Sequence, residues 1–120
     1  MGLVGGRAAA SLSSVVMLGD TGQSVVEHVL AAPARLARPA SEDFRRTALA
    51  LLDGLLPGRG RLVLDFSATA DADSVGMAAL ISIRRRARER GHTVRLRGVA
   101  PPFWELLRMA KLDAQFETER

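Results

Sequence analysis

The chain has 120 residues, of which 48% are hydrophobic and 25% charged, and its formal net charge is +4. This length suits one compact domain, and the composition excludes the polar, highly charged character of disordered chains. The sequence contains no cysteine, which excludes disulfides, thiolate nucleophiles and cysteine-ligated zinc.

The sequence predicts a cytoplasmic protein. Serines interrupt the apolar stretch of Met1–Leu18, and Arg7 is its only positive side chain, so the segment makes a poor secretory signal. No apolar run approaches the roughly 20 residues that cross a bilayer. We therefore expect no direct membrane insertion.

The first predicted elements are two strands of a hairpin. Ser11–Leu18 and Ser24–Ala31 contain β-branched and apolar clusters, and Gly19–Gly22 supplies turn residues between them. Residues 1–10 show no periodic pattern and are expected to form a flexible tail. The domain is therefore expected to span residues 11–120.

The first helix is predicted to start near Ser41. Ser41 offers a side-chain cap, and Glu42 and Asp43 follow it at the positive end of the helix. Pro57 and Gly58 are expected to end the element. The apolar stripe that should face a sheet consists of Phe44, Thr47, Ala48, Leu51, Leu52 and Leu55.

A second strand and helix unit follows. Arg61–Phe66 is a short, nearly continuous apolar run, which is typical of a central strand covered on both faces. Ser74 then comes immediately before a helical pattern and is predicted as its N-cap, and Gly91 ends the helix. The predicted buried stripe consists of Gly76, Ala79, Leu80, Ile83 and Ala87.

The last predicted elements are the strand Thr93–Gly98 and a helix opened by Pro101 and Pro102. Trp104 and Met109 lie off the centre of the apolar stripe of that helix and are candidates for a contact surface. The alternation of strands and helices indicates parallel pairing through right-handed crossovers. The predicted fold class is α/β, with a mixed four-stranded sheet and three to four helices.

The sequence offers no catalytic or metal site. Nothing suggests that His28 and His92 converge on a metal, and no Gly-x-Ser-x-Gly elbow surrounds Ser74. A phosphate-cradling glycine loop with a lysine is also missing. The helix that follows Ser74 carries a run of arginines, which could contact phosphates or an acidic partner, or could simply be a solvated helix face. Because aromatic stacking residues are scarce, we expect no nucleic acid. Since catalytic, metal-binding and phosphate-binding patterns are missing, we also expect no cofactor and no enzymatic activity.

Half of the chain resembles the STAS domain family. The most specific element of the resemblance is Asp-Ser-x-Gly at Asp73–Gly76, which follows a buried strand. Relatives often carry a glycine where this chain has Lys111. The segments that match in order and spacing are Leu62–Ser67, Asp73–Leu80, Val94–Val99 and Leu106–Leu112.

The resemblance implies a phosphorylation-controlled protein switch. The family includes bacterial anti-sigma factor antagonists, in which the residue matching Ser74 is phosphorylated by an anti-sigma factor that is itself a serine kinase. The unphosphorylated form binds and sequesters that kinase. An alternative role that the resemblance implies is a cytoplasmic subunit bound to the ATPase of a phospholipid-transporting ABC system. Neither the partner nor the oligomeric state follows from the sequence.

The physics of the predicted site agrees with a switch at Ser74. A helix N-terminus tolerates an anion, so phosphorylation there need not unfold the domain. The phosphate would add about −1.5 to −2 charges beside Asp71 and Asp73, which could break a fitted interface. The simpler alternatives are that Ser74 only caps the helix and that Asp73 only organises the loop.

The remaining site residues are assigned by their place around Ser74. The expected partner-binding residues are Asp71, Asp73, Ser74, Val75 and Met77. Structural roles are expected for Asp65, at the end of the buried strand, and for Gly76, where a helix starting close to a sheet gains from having no side chain.

Overall fold

The computed structural model describes residues 12–18, 24–58 and 60–119. The strands in this part of the chain are β1 (Leu12–Leu18), β2 (Ser24–Ala31), β3 (Arg35–Leu36), β4 (Gly60–Asp65), β5 (Asp71–Ala72), β6 (Thr93–Arg97) and β7 (Glu117–Glu119). The helices are α1 (Ala40–Asp53), α2 (Ser74–Glu89) and α3 (Pro101–Met109), followed by a short 3₁₀ turn at Asp113–Gln115.

The main sheet has the strand order β1-β2-β4-β6-β7. β1 pairs with β2 antiparallel, whereas β2, β4, β6 and β7 pair parallel. This arrangement confirms the predicted α/β fold class and its four strands. β7 extends the sheet beyond the prediction, and β3 and β5 form a separate two-stranded ribbon. The predicted tail and the hairpin turn at Gly19–Gly22 lie outside the described residues.

The centre of the sheet is buried, as predicted. β4 lies between β2 and β6, and Leu62, Val63 and Leu64 are fully buried. Leu62 and Leu64 pack in one core with buried residues from all three helices, so the helices cover the same face. Val63 points to the other face, because side chains alternate along a strand. Part-buried ion pairs such as Arg61 to Glu27, at 3.3 Å, lie on that face.

Helix α1 buries most of its predicted stripe, but it begins earlier than predicted. It ends at Asp53, before the predicted stop at Pro57 and Gly58, because the backbone of Gly54 already closes its last turn. Phe44, Ala48 and Leu52 are buried on its inner side, while Thr47 is exposed. The predicted cap by Ser41 is wrong, because the helix begins one residue earlier, after Pro39, without a side-chain cap. Ser41 therefore lies inside the first turn, where it is completely buried. In the described residues no helix has both the length and the hydropathy needed to cross a membrane.

Helices α2 and α3 end with the same backbone motif. All five residues of the predicted α2 stripe are buried, and Gly91 follows the helix with a φ of 74°. At the end of α3, Lys111 takes the equivalent left-handed conformation, with a φ of 61°. The N–H of Leu112 then donates to the carbonyl of Leu107 at 2.8 Å, as expected of a Schellman motif.

Candidate functional site

The candidate site lies where β5 leads into α2, near the carboxyl end of the central strand. Asp73 precedes the helix in an extended conformation, and its Oδ1 accepts a hydrogen bond of 2.8 Å from the N–H of Gly76. Asp73 is therefore the N-cap. The prediction that Ser74 caps the helix is wrong by one residue. Aspartate and serine side chains can both cap a helix, but it is Asp73 that has the extended backbone conformation of an N-cap residue.

Ser74 is the first residue of α2 and is exposed. Its hydroxyl makes no hydrogen bond within the described part of the chain, so capping does not occupy it. The N–H of Gly76 is bound to the side chain of Asp73, and the N–H of Met77 to its carbonyl. The N–H groups of Ser74 and Val75 remain at the helix start for an incoming anion.

The β3 and β5 ribbon places further charges beside the helix start. Arg35 and Asp71 are register partners in this ribbon, and Arg35 Nε lies 3.2 Å from Asp71 Oδ1. Both side chains are more than half exposed, so the pair is open to solvent and to a partner. The site therefore presents an exposed hydroxyl next to the carboxylates of Asp71 and Asp73.

Gly76 and Asp65 hold the local backbone. Gly76 is buried, and the carbonyl of Leu36 lies so close that a Cβ would overlap it. The carboxylate of Asp65 accepts a hydrogen bond of 2.9 Å from the N–H of Ser67, at the start of the loop that leads towards β5. These contacts fix the position of the loop and of the first turn of α2.

Val75 and Met77 are half-buried, on different sides of α2. Met77 packs against the hydrophobic core, so only part of it can reach a partner. Val75 faces α1 and lines an open cleft of about 160 Å³ between the two helices. The other residues that line the cleft are Ser41, Glu42, Arg45, Ala78, Ala79 and Ser82.

This cleft was not predicted from the sequence, because it depends on how two helices that are distant in the chain pack against each other. Ser41 and Ser82 could have indicated the cleft. However, serines at such positions also occur on ordinary solvated or apolar faces of helices. No three acidic or histidine side chains converge as a metal site among the described residues.

The arginines of α2 are largely used within the molecule. Arg86 donates to both carboxylate oxygens of Asp53, at 2.7 and 2.9 Å, and this hydrogen bonding raises the pKa of Arg86. Arg90, directly after α2, donates to the backbone carbonyl of Asp53, and Arg84 to that of Gln115. Arg85 and Arg88 are exposed.

Solved structures of similar fold include anti-sigma factor antagonists and a sulfate transporter family protein. An anti-sigma-factor antagonist (STAS) domain protein from Planctomyces limnophilus is 22% identical, with 88% of this chain and 87% of that chain covered and a TM-score of 0.66. The anti-sigma factor antagonist SpoIIAA in its unphosphorylated form is 15% identical, with 93% of this chain and 89% of that chain covered and a TM-score of 0.68. A sulfate transporter family protein from Wolinella succinogenes is 16% identical, with coverage of 78% and 75% and a TM-score of 0.61.

The comparison of sequences leads to the same family. No curated protein matches the chain. The family model described as "Mlab, STAS domain" matches residues 19–117, which include every residue of the candidate site. The chain therefore belongs to the STAS domain family.

Proposed function

We propose that this protein is a cytoplasmic anti-sigma factor antagonist that binds a kinase-type anti-sigma factor and is switched by phosphorylation of Ser74. One observation carries the proposal: the Ser74 hydroxyl is exposed at the first position of α2, while Asp73 supplies the cap. A serine used as the cap would have its oxygen engaged with the backbone. Here the hydroxyl is available to a kinase and to a binding partner.

The surroundings of Ser74 support a change in binding rather than a change in fold. The free N–H groups of the first turn and the helix dipole favour a phosphate at this position. The same phosphate would add about −1.5 to −2 charges beside the carboxylates of Asp71 and Asp73. A partner surface fitted to the unmodified hydroxyl would then meet an uncompensated anion, so it would dissociate while the domain stays folded.

The main alternative is a STAS subunit that binds the ATPase of a phospholipid-transporting ABC system. The matching family model, described as "Mlab, STAS domain", supports this alternative as well, because the family resemblance implies both roles. In that role Ser74 is a permanent contact residue without phosphate. Both roles act through binding another protein, and neither requires catalysis by this chain.

Binding by Ser74 variants tests the proposal. The affinity of the partner recovered from native cells is measured by calorimetry for wild type, Ser74→Ala and Ser74→Asp. Ala114→Asp is the control, because Ala114 is exposed in the 3₁₀ turn, whose Gln115 contacts Arg84 and not the start of α2. We expect Ser74→Asp to weaken binding about tenfold or more and Ala114→Asp to leave it nearly unchanged. Equal affinities of wild type, Ser74→Asp and Ser74→Ala would contradict the switch.

A further inference from the structure

We infer that the cleft between α1 and α2 receives a carboxylate side chain of the protein partner, with Arg45 as its ion pair and Ser41 as a hydrogen-bond donor. The inference rests on the proposed function, because the occupant belongs to the bound protein. It specifies which side chain of the partner binds near Ser74, namely an aspartate or a glutamate.

The first support is the side chain of Ser41. This residue is completely buried at the start of α1, and its Oγ has no hydrogen-bond partner in the structure. Buried hydroxyl groups nearly always find a partner, because leaving one unsatisfied is costly. Ser41 lines the cleft, so a rotation about its Cα–Cβ bond would turn the hydroxyl towards a ligand seated there, which could then accept its hydrogen bond.

The second support is the charge of the cleft. Glu42 lies on the rim, and its carboxylate is paired with Arg38 at 3.5 Å. Asp43, the next acid of this turn, is paired with Arg46 at 3.1 Å. Arg45 also lines the cleft, and it has no acidic partner among the described residues. Arg45 is therefore the charge of the cleft that these ion pairs leave uncompensated, and it complements an anion.

The third support is the size and the wall of the cleft. Its volume of about 160 Å³ accommodates one side chain but is well below the 300–1,000 Å³ of typical pockets for larger ligands. Val75, Ala78 and Ala79 supply an apolar wall. An ion pair beside such a wall is less screened by water than one on an open surface. These features favour a single carboxylate over a nucleotide.

The position of the cleft connects it to the switch. Val75 lines the cleft and is the neighbour of Ser74 in the first turn of α2. A phosphate on Ser74 would place a second anion close to the bound carboxylate, and like charges repel. The phosphate would also compete for the positive charge of Arg45. Phosphorylation would therefore release the partner by displacing its acidic side chain.

The cleft can be tested without the partner. Spectra of the full-length, ¹⁵N-labelled chain are recorded while N-acetyl-glutamate N-methylamide is added, with the uncharged glutamine analogue and inorganic phosphate as separate probes. We expect saturable shifts of the amide signals of Arg45, Val75 and Ser82 with the glutamate probe only. Arg45→Gln should weaken this binding at least fivefold, whereas Arg85→Gln, a control on the exposed side of α2, should not.

The possible outcomes separate this inference from the proposed function. Equal shifts with the glutamine analogue, a preference for phosphate, no shifts at all, or insensitivity to Arg45→Gln would each overturn the inference. None of these results depends on the identity of the partner. With the recovered partner, Arg45→Glu should weaken binding at least tenfold and Arg45→Lys by less than Arg45→Glu. An unchanged affinity of Arg45→Glu would also overturn the inference, while leaving the switch at Ser74 intact.

Discussion

Gly76, in the first turn of α2, lies directly against the carbonyl oxygen of Leu36, and a Cβ at position 76 would overlap that oxygen. The carbonyl of Leu36 also accepts a hydrogen bond of 3.3 Å from the N–H of Asp73, so strand β3 holds the residue before the helix as well. These two contacts fix the position of the backbone that carries the exposed Ser74.

Gly76→Ala should destabilise the domain by about 2–3 kcal/mol, because the added methyl group forces α2 away from β3. Chemical denaturation followed by circular dichroism measures the change. Gly54→Ala is the matched control, since a Cβ there meets its nearest atoms at an ordinary 3.5 Å. If both alanine variants are as stable as wild type, the close approach at Gly76 does not constrain the helix.

Substitutions of Asp73 and of Ser74 should have clearly different effects on the free energy of unfolding. Asp73→Ala removes the cap and should cost about 1 kcal/mol, whereas Ser74→Ala should change the free energy of unfolding by less than about 0.5 kcal/mol. Asp73→Asn keeps a capping oxygen and should stay close to wild type. Denaturant titration of the three variants provides the measurement. A larger loss in Ser74→Ala than in Asp73→Ala would show that Ser74 is the real cap.

Lys111→Gly should stabilise the protein by about 0.5–1 kcal/mol, because glycine adopts the left-handed conformation without the steric cost of a Cβ. The matched experiment is Gly91→Ala at the end of α2, which should have the opposite sign and cost about 1–2 kcal/mol. Thermal and denaturant unfolding report both changes. A loss of stability in Lys111→Gly would contradict the assigned backbone conformation.

His92 should make the stability of the domain depend on pH. The ring is buried, and neither nitrogen has a hydrogen bond of good geometry. Burial lowers the pKa of His92 below its usual 6.5, and the positive charge of Arg90 lowers it further, while the nearby carbonyls of Leu52 and Leu55 oppose the shift. The folded protein therefore favours the neutral ring, and the unfolded chain takes up the proton more readily.

The sign of the effect follows from proton linkage. The contribution of His92 is fully present above the unfolded pKa near 6.5, and it is lost as the pH falls through the lower folded pKa. The free energy of unfolding of wild type should therefore decrease as the pH falls from 7 to below 6.5. Denaturation of His92→Leu across the same range should show a shallower slope. Parallel curves for the two proteins would contradict a buried, neutral His92.

The periodic segments of this fold were predictable from the sequence, because burial on one side leaves a clear pattern. The α2 stripe from Gly76 to Ala87 and the central strand β4 appear in the structure as predicted. β7 has no such pattern, since its residues, Glu117–Glu119, are polar, and its pairing depends on the free edge of β6. Two-residue strands such as β3 are also too short to show the alternation of buried and exposed residues that indicates a strand.

The start of α2 was predictable to within one residue. Asp73 and Ser74 are both good capping residues, so composition could not decide which one precedes the helix. The same ambiguity misplaced the start of α1, where Ser41 has a capping side chain but lies inside the first turn. The cleft lined by Arg45 and Val75 depends on helix packing, which no local pattern encodes.

The most direct test of the switch is to recover the tagged protein from its native cells and to identify by mass spectrometry its partner and the modification of Ser74 in bound and unbound fractions. We predict a kinase-type anti-sigma factor in the bound fraction and phosphate on Ser74 in the unbound fraction. A transporter ATPase that co-purifies with unmodified Ser74 would contradict the switch and assign the domain to a transport complex.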